Sequence, residues 1–207
     1  ETVKTLDNPA AAEITDLAIS RNGTKMYALT GVKDPKLLVW DLTRDELLLQ
    51  ENVNTLYESV RINPADDRMF VLFGGKGASF GTLNNINGEE SVSLETISLV
   101  SKKFSQDSEE DKLLQSIQSN SVTFCIWAPY DYLLIGNRAG KVVEVHITEQ
   151  KSVNVLRKSK LPLSGEQDGG AGSYPTAAAL GTGFCVVSTN VGQVLWLPTI
   201  GFDSQPN

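Results

Sequence analysis

The chain has 207 residues, 41% hydrophobic and 21% charged, which is enough to bury a core and excludes disorder throughout. Lys and Arg number 18 against 25 Asp and Glu, and this net charge of -7 argues against a nucleic-acid or anionic-membrane surface, since both need a basic footprint. One His and two Cys leave few ligands or nucleophiles for metal or acyl chemistry, so no metal, cofactor or catalytic residue is expected.

The chain opens on ETVKTLDNPAAAE, and no apolar run approaches the ~18 residues that span a bilayer, so it reads as a piece of a longer soluble protein. Four segments then share one plan of short apolar runs separated by polar turns. The first is Ile14 to Ser20, Lys25 to Gly31 and Lys36 to Leu42, with the turns RNG and VKDP between them. Asn22-Gly23 in the first of these turns is a preferred two-residue turn dipeptide, and Asn22-Gly23-Thr24 is a glycosylation sequon that would matter only in a secreted protein. The second segment is Ser59 to Pro64, Met69 to Gly75 and a weak third run near SFGTLNN. The third runs over Val122 to Pro129, Tyr132 to Asn137 and Lys141 to Ile147, and the fourth over Thr176 to Leu180, Phe184 to Thr189 and Gln193 to Pro198. An outer run closes the first three, at Glu46 to Val53, Ser93 to Val100 and Lys151 to Lys158; the last has none.

Runs rich in Val, Ile, Leu, Phe and Tyr, bounded by Gly, Asn, Asp and Pro, are the strand and hairpin signature, and helical periodicity is nearly absent. Four-stranded meanders repeating at roughly 40 to 45 residues predict β-propeller blades. The expected fold is therefore all-β, about four blades of a β-propeller. Residues 1–53 form the first blade, 54–104 the second, 105–121 an acidic insertion, 122–162 the third, 163–175 a flexible loop and 176–207 an incomplete fourth.

The first unit resembles a WD repeat. Thr30-Gly31-Val32-Lys33-Asp34 through Trp40-Asp41 follows that family's pattern of a small hydroxyl residue, a turn Asp and a terminal Trp-Asp pair. The resemblance implies a blade-locking hydrogen-bond network with Thr30, Asp34 and Trp40 in three of its places. The fourth place, a His in the family, falls near Ala10. The third unit has Ala139 at the Asp place and Val145 at the Trp place, and the fourth offers Trp196 without an Asp in its turn. Such degenerate repeats also look like those of axonemal, cilia- and flagella-associated WD-repeat scaffolds, which implies a cytoplasmic location, and equally degenerate blades occur in nuclear-pore, coat and trafficking proteins.

Both Cys125 and Cys185 sit in apolar runs and read as buried thiols. His146, on strict alternation in KVVEVHI, shares a face with Val142 and Glu144 and is expected on the more solvated side. The Gly-rich runs Gly74 to Gly81 and Gly165 to Ser173 lack the Lys-Ser/Thr and helix of a phosphate loop. Ser105 to Asn120 carries Asp107, Glu109, Glu110 and Asp111 ahead of Leu113, Leu114 and Ile117, which fits either a short amphipathic helix or a disordered acidic loop. In the propeller this chain resembles, that insertion and the hairpins carrying Lys33, Lys76, Arg138 and Asn190 emerge on one rim, and that rim is the expected partner-docking surface. The function implied is a non-enzymatic protein–protein interaction scaffold within a larger assembly, completed by the remainder of the parent chain. The alternative is a propeller hydrolase or lyase with its site in the central channel.

Overall fold

The computed structural model describes residues 5–53, 57–75, 77–97, 121–128, 131–138, 140–148, 153–161, 173–181 and 183–198. Fifteen strands run through them in chain order: β1 (Ile14–Ile19), β2 (Lys25–Thr30), β3 (Lys36–Asp41), β4 (Glu46–Asn52), β5 (Ser59–Ile62), β6 (Met69–Gly74), β7 (Gly77–Ile86), β8 (Glu89–Thr96), β9 (Val122–Ala128), β10 (Tyr132–Asn137), β11 (Lys141–Ile147), β12 (Val153–Lys160), β13 (Pro175–Gly181), β14 (Phe184–Thr189) and β15 (Val194–Pro198). They form four sheets whose strand order is sequence order, four strands each in the first three and three in the last. Among the described residues no helix is long and apolar enough to cross a membrane.

The weak third run of the second unit is the longest strand. β7 has ten residues, and the hairpin to β8 turns at Asn87-Gly88, whose φ values of 56° and 91° are the left-handed pair that a tight hairpin turn demands. Small and polar residues along β7 hide it from a hydrophobicity count. The outer strand accordingly starts at Glu89, four residues before the run that announces it.

A device repeats in the first, third and fourth sheets. The inner strand skips one residue in its pairing with the second strand, at Thr15, Thr123 and Thr176. Each skipped threonine turns its hydroxyl onto a carbonyl of that second strand: Leu29 at 3.3 Å, Gly136 at 3.4 Å and Ser188 at 3.3 Å. A bulge leaves one residue out of the ladder, and a threonine there has its side-chain donor free for the backbone. Two residues upstream, Glu13, Ser121 and Tyr174 each accept, through their carbonyls, the N–H that follows the second strand.

The chain divides into two compact units, one comprising Glu1–Leu72 and Ser79–Glu95, the other Phe73–Ala78 and Thr96–Asn207. In the first, Tyr27, Leu29, Leu37 and Val39 of the first sheet pack against Val60, Phe70, Leu72 and Leu83 of the second, with Tyr27 tilted on Phe70 at 5.0 Å between ring centroids. In the other unit, Phe124, Leu134 and Val142 of the third sheet meet Cys185 and Val187 of the fourth. Removing such apolar area from water is the dominant favourable term for each unit.

Packing bears out one sequence expectation in part and corrects another. His146 is half-buried and its face is the more solvated of the two, but only at that end: Val142 and Glu144, which share it, are 4% and 3% exposed, and Val142 belongs to the core shared with the fourth sheet. On the opposite face Val143, Val145 and Ile147 are buried, so the strand is covered on both sides over most of its length. In the fourth sheet, register places Leu197, not Trp196, where the first sheet has Trp40, because Val194 pairs with Ser188 as Leu37 pairs with Leu29. One residue of slip turns a side chain to the other face, and Trp196 is 71% exposed.

Candidate functional site

Thr30 and Asp34 come together at the hairpin between β2 and β3. The Thr30 hydroxyl donates to the Asp34 carbonyl and accepts the Lys36 N–H at 2.7 Å. The Asp34 carboxylate pairs with Lys36 Nζ at 2.9 Å and accepts the Ala11 N–H at 2.9 Å. The entry segment is thus tied to the hairpin by a backbone donor, at the place where the WD pattern has a His. Ala10 beside it packs on the cluster of Ala28, Leu38 and Trp40. Trp40 stands at the opposite end of the hairpin, paired with Met26, and holds its place by apolar packing. The fourth sheet repeats part of this node: Thr189 Oγ1 accepts the Gln193 N–H at 3.1 Å, as Thr30 does that of Lys36.

A second polar cluster joins the first two sheets. Asp67, in the turn before β6, accepts from Lys25 Nζ at 2.9 Å and Asn22 Nδ2 at 3.1 Å, with Thr24 Oγ1 at 3.2 Å, while its carbonyl accepts the Tyr27 hydroxyl at 2.7 Å. Nearby, the Asp16 carboxylate takes the Val60 N–H at 3.0 Å and Arg61 at 2.8 Å. Burial and the neighbouring Asp67 raise the Tyr27 phenol well above its ordinary range. Nothing in the sequence pattern announced Asp67, because its partners lie 40 or more positions away.

These contacts set a pH dependence. Burial pushes the Asp67 pKa up, but the bonds from Lys25, Asn22 and Thr24 outweigh it and hold the group below the ordinary 3.8. Asp34 is likewise lowered, first by the Ala11 N–H and then by Lys36. Carboxylates depressed in the folded state contribute stability that is complete above the unfolded pKa and is lost as pH falls through the folded one. The unfolding midpoint should therefore drop on acidification below about pH 4, and the Asp67→Asn/Asp34→Asn double variant should show a shallower acid limb in thermal melts across that range.

Of the expected rim residues, Arg138 and Asn190 are brought to one place. The exposed Arg138 guanidinium lies over the Tyr174 ring, 4.9 Å from its centroid, and Asn190 takes the Tyr174 N–H on its side chain at 2.7 Å while donating its own N–H to the Tyr174 carbonyl at 3.0 Å. Tyr174 escaped sequence reading because it precedes the strand proper; the short pattern Glu-Ile-Thr, Ser-Val-Thr, Tyr-Pro-Thr ahead of three inner strands is the signal that finds it. Lys33 is exposed in the β2–β3 hairpin beside Val32, itself 73% exposed. Lys76, Asp107, Glu109, Glu110 and Asp111 lie outside the described residues, as does the question of helix or loop over 105–120.

His146 stacks on Tyr132 with ring centroids 4.7 Å apart. Among the described residues no three His, Cys, Asp or Glu side chains are grouped so as to hold a metal ion. Cys125 and Cys185 are both buried, and burial pushes the Cys185 thiol up to about 11, which suppresses its thiolate at neutral pH.

No protein-family model and no curated protein matches the chain. Solved structures do. The β-propeller domain of Cps50 (Swd1) from Myceliophteria thermophila superimposes with a TM-score of 0.65 at 16% identity, over 93% of this chain and 56% of that one. The computationally designed Ika4 protein matches with a TM-score of 0.60 at 16% identity, over 96% of this chain and 98% of its own. The fold is that of β-propeller blades, all-β and built from consecutive antiparallel meanders. The chain spans little more than half of the Swd1 propeller domain it resembles.

Proposed function

We propose that the chain is part of a WD-repeat-like propeller that serves as a non-enzymatic protein–protein interaction scaffold. The observation that carries this reading is the Arg138, Tyr174 and Asn190 group: an exposed cation and an aromatic ring fixed by backbone hydrogen bonds at the edge of a packed sheet pair. Arg and Tyr at a rigid edge are the residue types that protein interfaces concentrate. In the other unit, the exposed Lys33 is a docking residue of its own sheet's hairpin. The Thr30, Asp34 and Trp40 set locks the first blade rather than contacting a partner.

Further blades, from the remainder of the parent chain, complete the propeller in this reading. The share of the Swd1 propeller that is matched supports it, as do apolar side chains left open on the first and fourth sheets: Leu17 at 51%, Ile19 at 55%, Val194 at 72% and Trp196 at 71% exposed. The cytoplasm, and within it the axoneme of a cilium or flagellum, is the location assigned on the likeness of the degenerate repeats alone.

The test is affinity capture with the complete protein, followed by crosslinking. Arg138→Glu with Tyr174→Ala should abolish capture of a stoichiometric protein partner while leaving the melting temperature within a few degrees, since surface changes are usually worth about ±0.5 kcal/mol. Unchanged capture would remove this rim as the docking surface. Stoichiometric Ca²⁺ or Zn²⁺ together with a hydrolase activity would sink the scaffold reading.

A further inference from the structure

Asn22 occupies a chemically exposed position that the scaffold role does not use. It precedes a glycine, and Gly23 has a φ of 71° and no side chain to obstruct attack by its own amide nitrogen on the Asn22 side chain. Asn22 and Gly23 are both exposed to water. Yet in the folded protein every participant is held. The Gly23 N–H donates to the Ser20 carbonyl at 2.8 Å. Asn22 Oδ1 accepts from Ser20 Oγ at 2.6 Å, from the Thr24 N–H at 3.1 Å and from Thr24 Oγ1 at 2.8 Å. Asn22 Nδ2 donates across to Asp67 of the second sheet at 3.1 Å.

We propose that Asn22 is a deamidation site guarded by its clasp with Asp67, and that its conversion is a one-way switch that loosens the first sheet from the second. When the clasp opens, the Gly23 nitrogen bonds to Asn22 Cγ, the Cγ–Nδ2 bond breaks, and ammonia leaves with the proton released from the Gly23 amide. Solvent water then opens the cyclic imide to aspartate or isoaspartate. The new carboxylate faces Asp67 where a donor stood. Lys25, already paired with Asp67 at 2.9 Å, is the one cation that these contacts offer to two carboxylates. Closure is then opposed by like-charge repulsion, and reverse amidation has no route in water.

The same chain supplies an internal comparison. Asn87-Gly88 is a second Asn-Gly pair, at the exposed tip of the β7–β8 hairpin; its Gly88 N–H is held too, by Asn85 Oδ1 at 3.1 Å, but among the described residues the Asn87 side chain makes no clasp across sheets. Peptide mapping by mass spectrometry of the complete protein, incubated at neutral pH, should find Asn22 converting at least about ten-fold more slowly than Asn87, because reaction needs local opening. Asp67→Ala should speed conversion of Asn22 several-fold toward the rate of Asn87, with the Ser20 and Thr24 bonds keeping it short of that rate, and leave Asn87 unchanged. Asn22→Asp should lower the melting temperature further than Asn22→Ala, and Asn22→Asp with Asp67→Asn should restore it, since amide and carboxylate merely exchange places. Equal rates at the two sites in the unaltered protein, an Asn22 rate indifferent to Asp67→Ala, or an Asn22→Asp variant as stable as Asn22→Ala would each overturn the proposal.

Discussion

Replacing Trp40 by alanine is expected to cost about 3–5 kcal/mol of stability, the range for deleting a buried aromatic ring. The indole is 2% exposed and shares its cluster with Ala28 and Leu38, both fully buried. The loss combines the transfer free energy of the ring with the cavity it leaves, and the first sheet can close that cavity only by moving its backbone. Leu6 and Ala10 line the same cluster from the entry segment, so their collapse into the void sets where in the range the value falls. Denaturant titration should show the midpoint moving with an unchanged slope. Trp196→Ala is the control: at 71% exposure, with an edge contact to Phe184 at 5.0 Å, it should change stability by about 1 kcal/mol at most. A Trp40 loss below about 1 kcal/mol would mean that packing, and not the motif, has been misread.

That contrast shows what was legible. Hairpins with turn residues and β-branched runs were readable because each sheet is local: its strands follow one another, and pairing needs only neighbouring sequence. The register of the fourth sheet was not readable. Trp196 and Leu197 are adjacent, both apolar, and only their pairing, with Val186 and Cys185 respectively, shows which of them takes the inward place. β7 was legible only as a weak run near SFGTLNN and not at its full length, since Gly77, Ser79, Gly81, Asn84 and Asn85 make a strand by pairing, not by hydrophobicity.

The candidate site divides in the same way. Thr30 and Asp34 lie within one hairpin and could be joined from sequence. The Ala11 N–H that completes their network could not, because every non-proline residue carries that donor and composition does not distinguish one that is used. Asp67 and its partners Asn22, Thr24 and Lys25 come from different sheets, and Tyr174 with Arg138 likewise, so the contacts between sheets were beyond a reading that works one repeat at a time. Recognising Thr15, Thr123 and Thr176 as equivalent supplies the alignment that the degenerate motif withheld, and it fixes Tyr174 and Asn190 as counterparts of Glu13 and Gly31.

Gly136 is where the tightest packing should make itself felt. It pairs directly with Phe124 across β9 and β10, and the phenylalanine ring lies where a side chain would begin: a Cβ at position 136 would stand 2.1 Å from the nearest ring carbon. Gly81 meets Phe70 in the same manner at 2.3 Å. Phe124 is 5% exposed and lies in the core shared by the third and fourth sheets, so its ring cannot swing outward without opening that core. Gly136→Ala should therefore destabilise by about 1–3 kcal/mol through overpacking, although alanine suits an extended backbone better than glycine. Phe124→Leu alone should cost about 1 kcal/mol, and adding Gly136→Ala to it should cost less than in the wild-type background, because the smaller side chain leaves room. A double-mutant cycle read from denaturant midpoints measures that coupling, and additive losses would show that the ring does not occupy the space above Gly136.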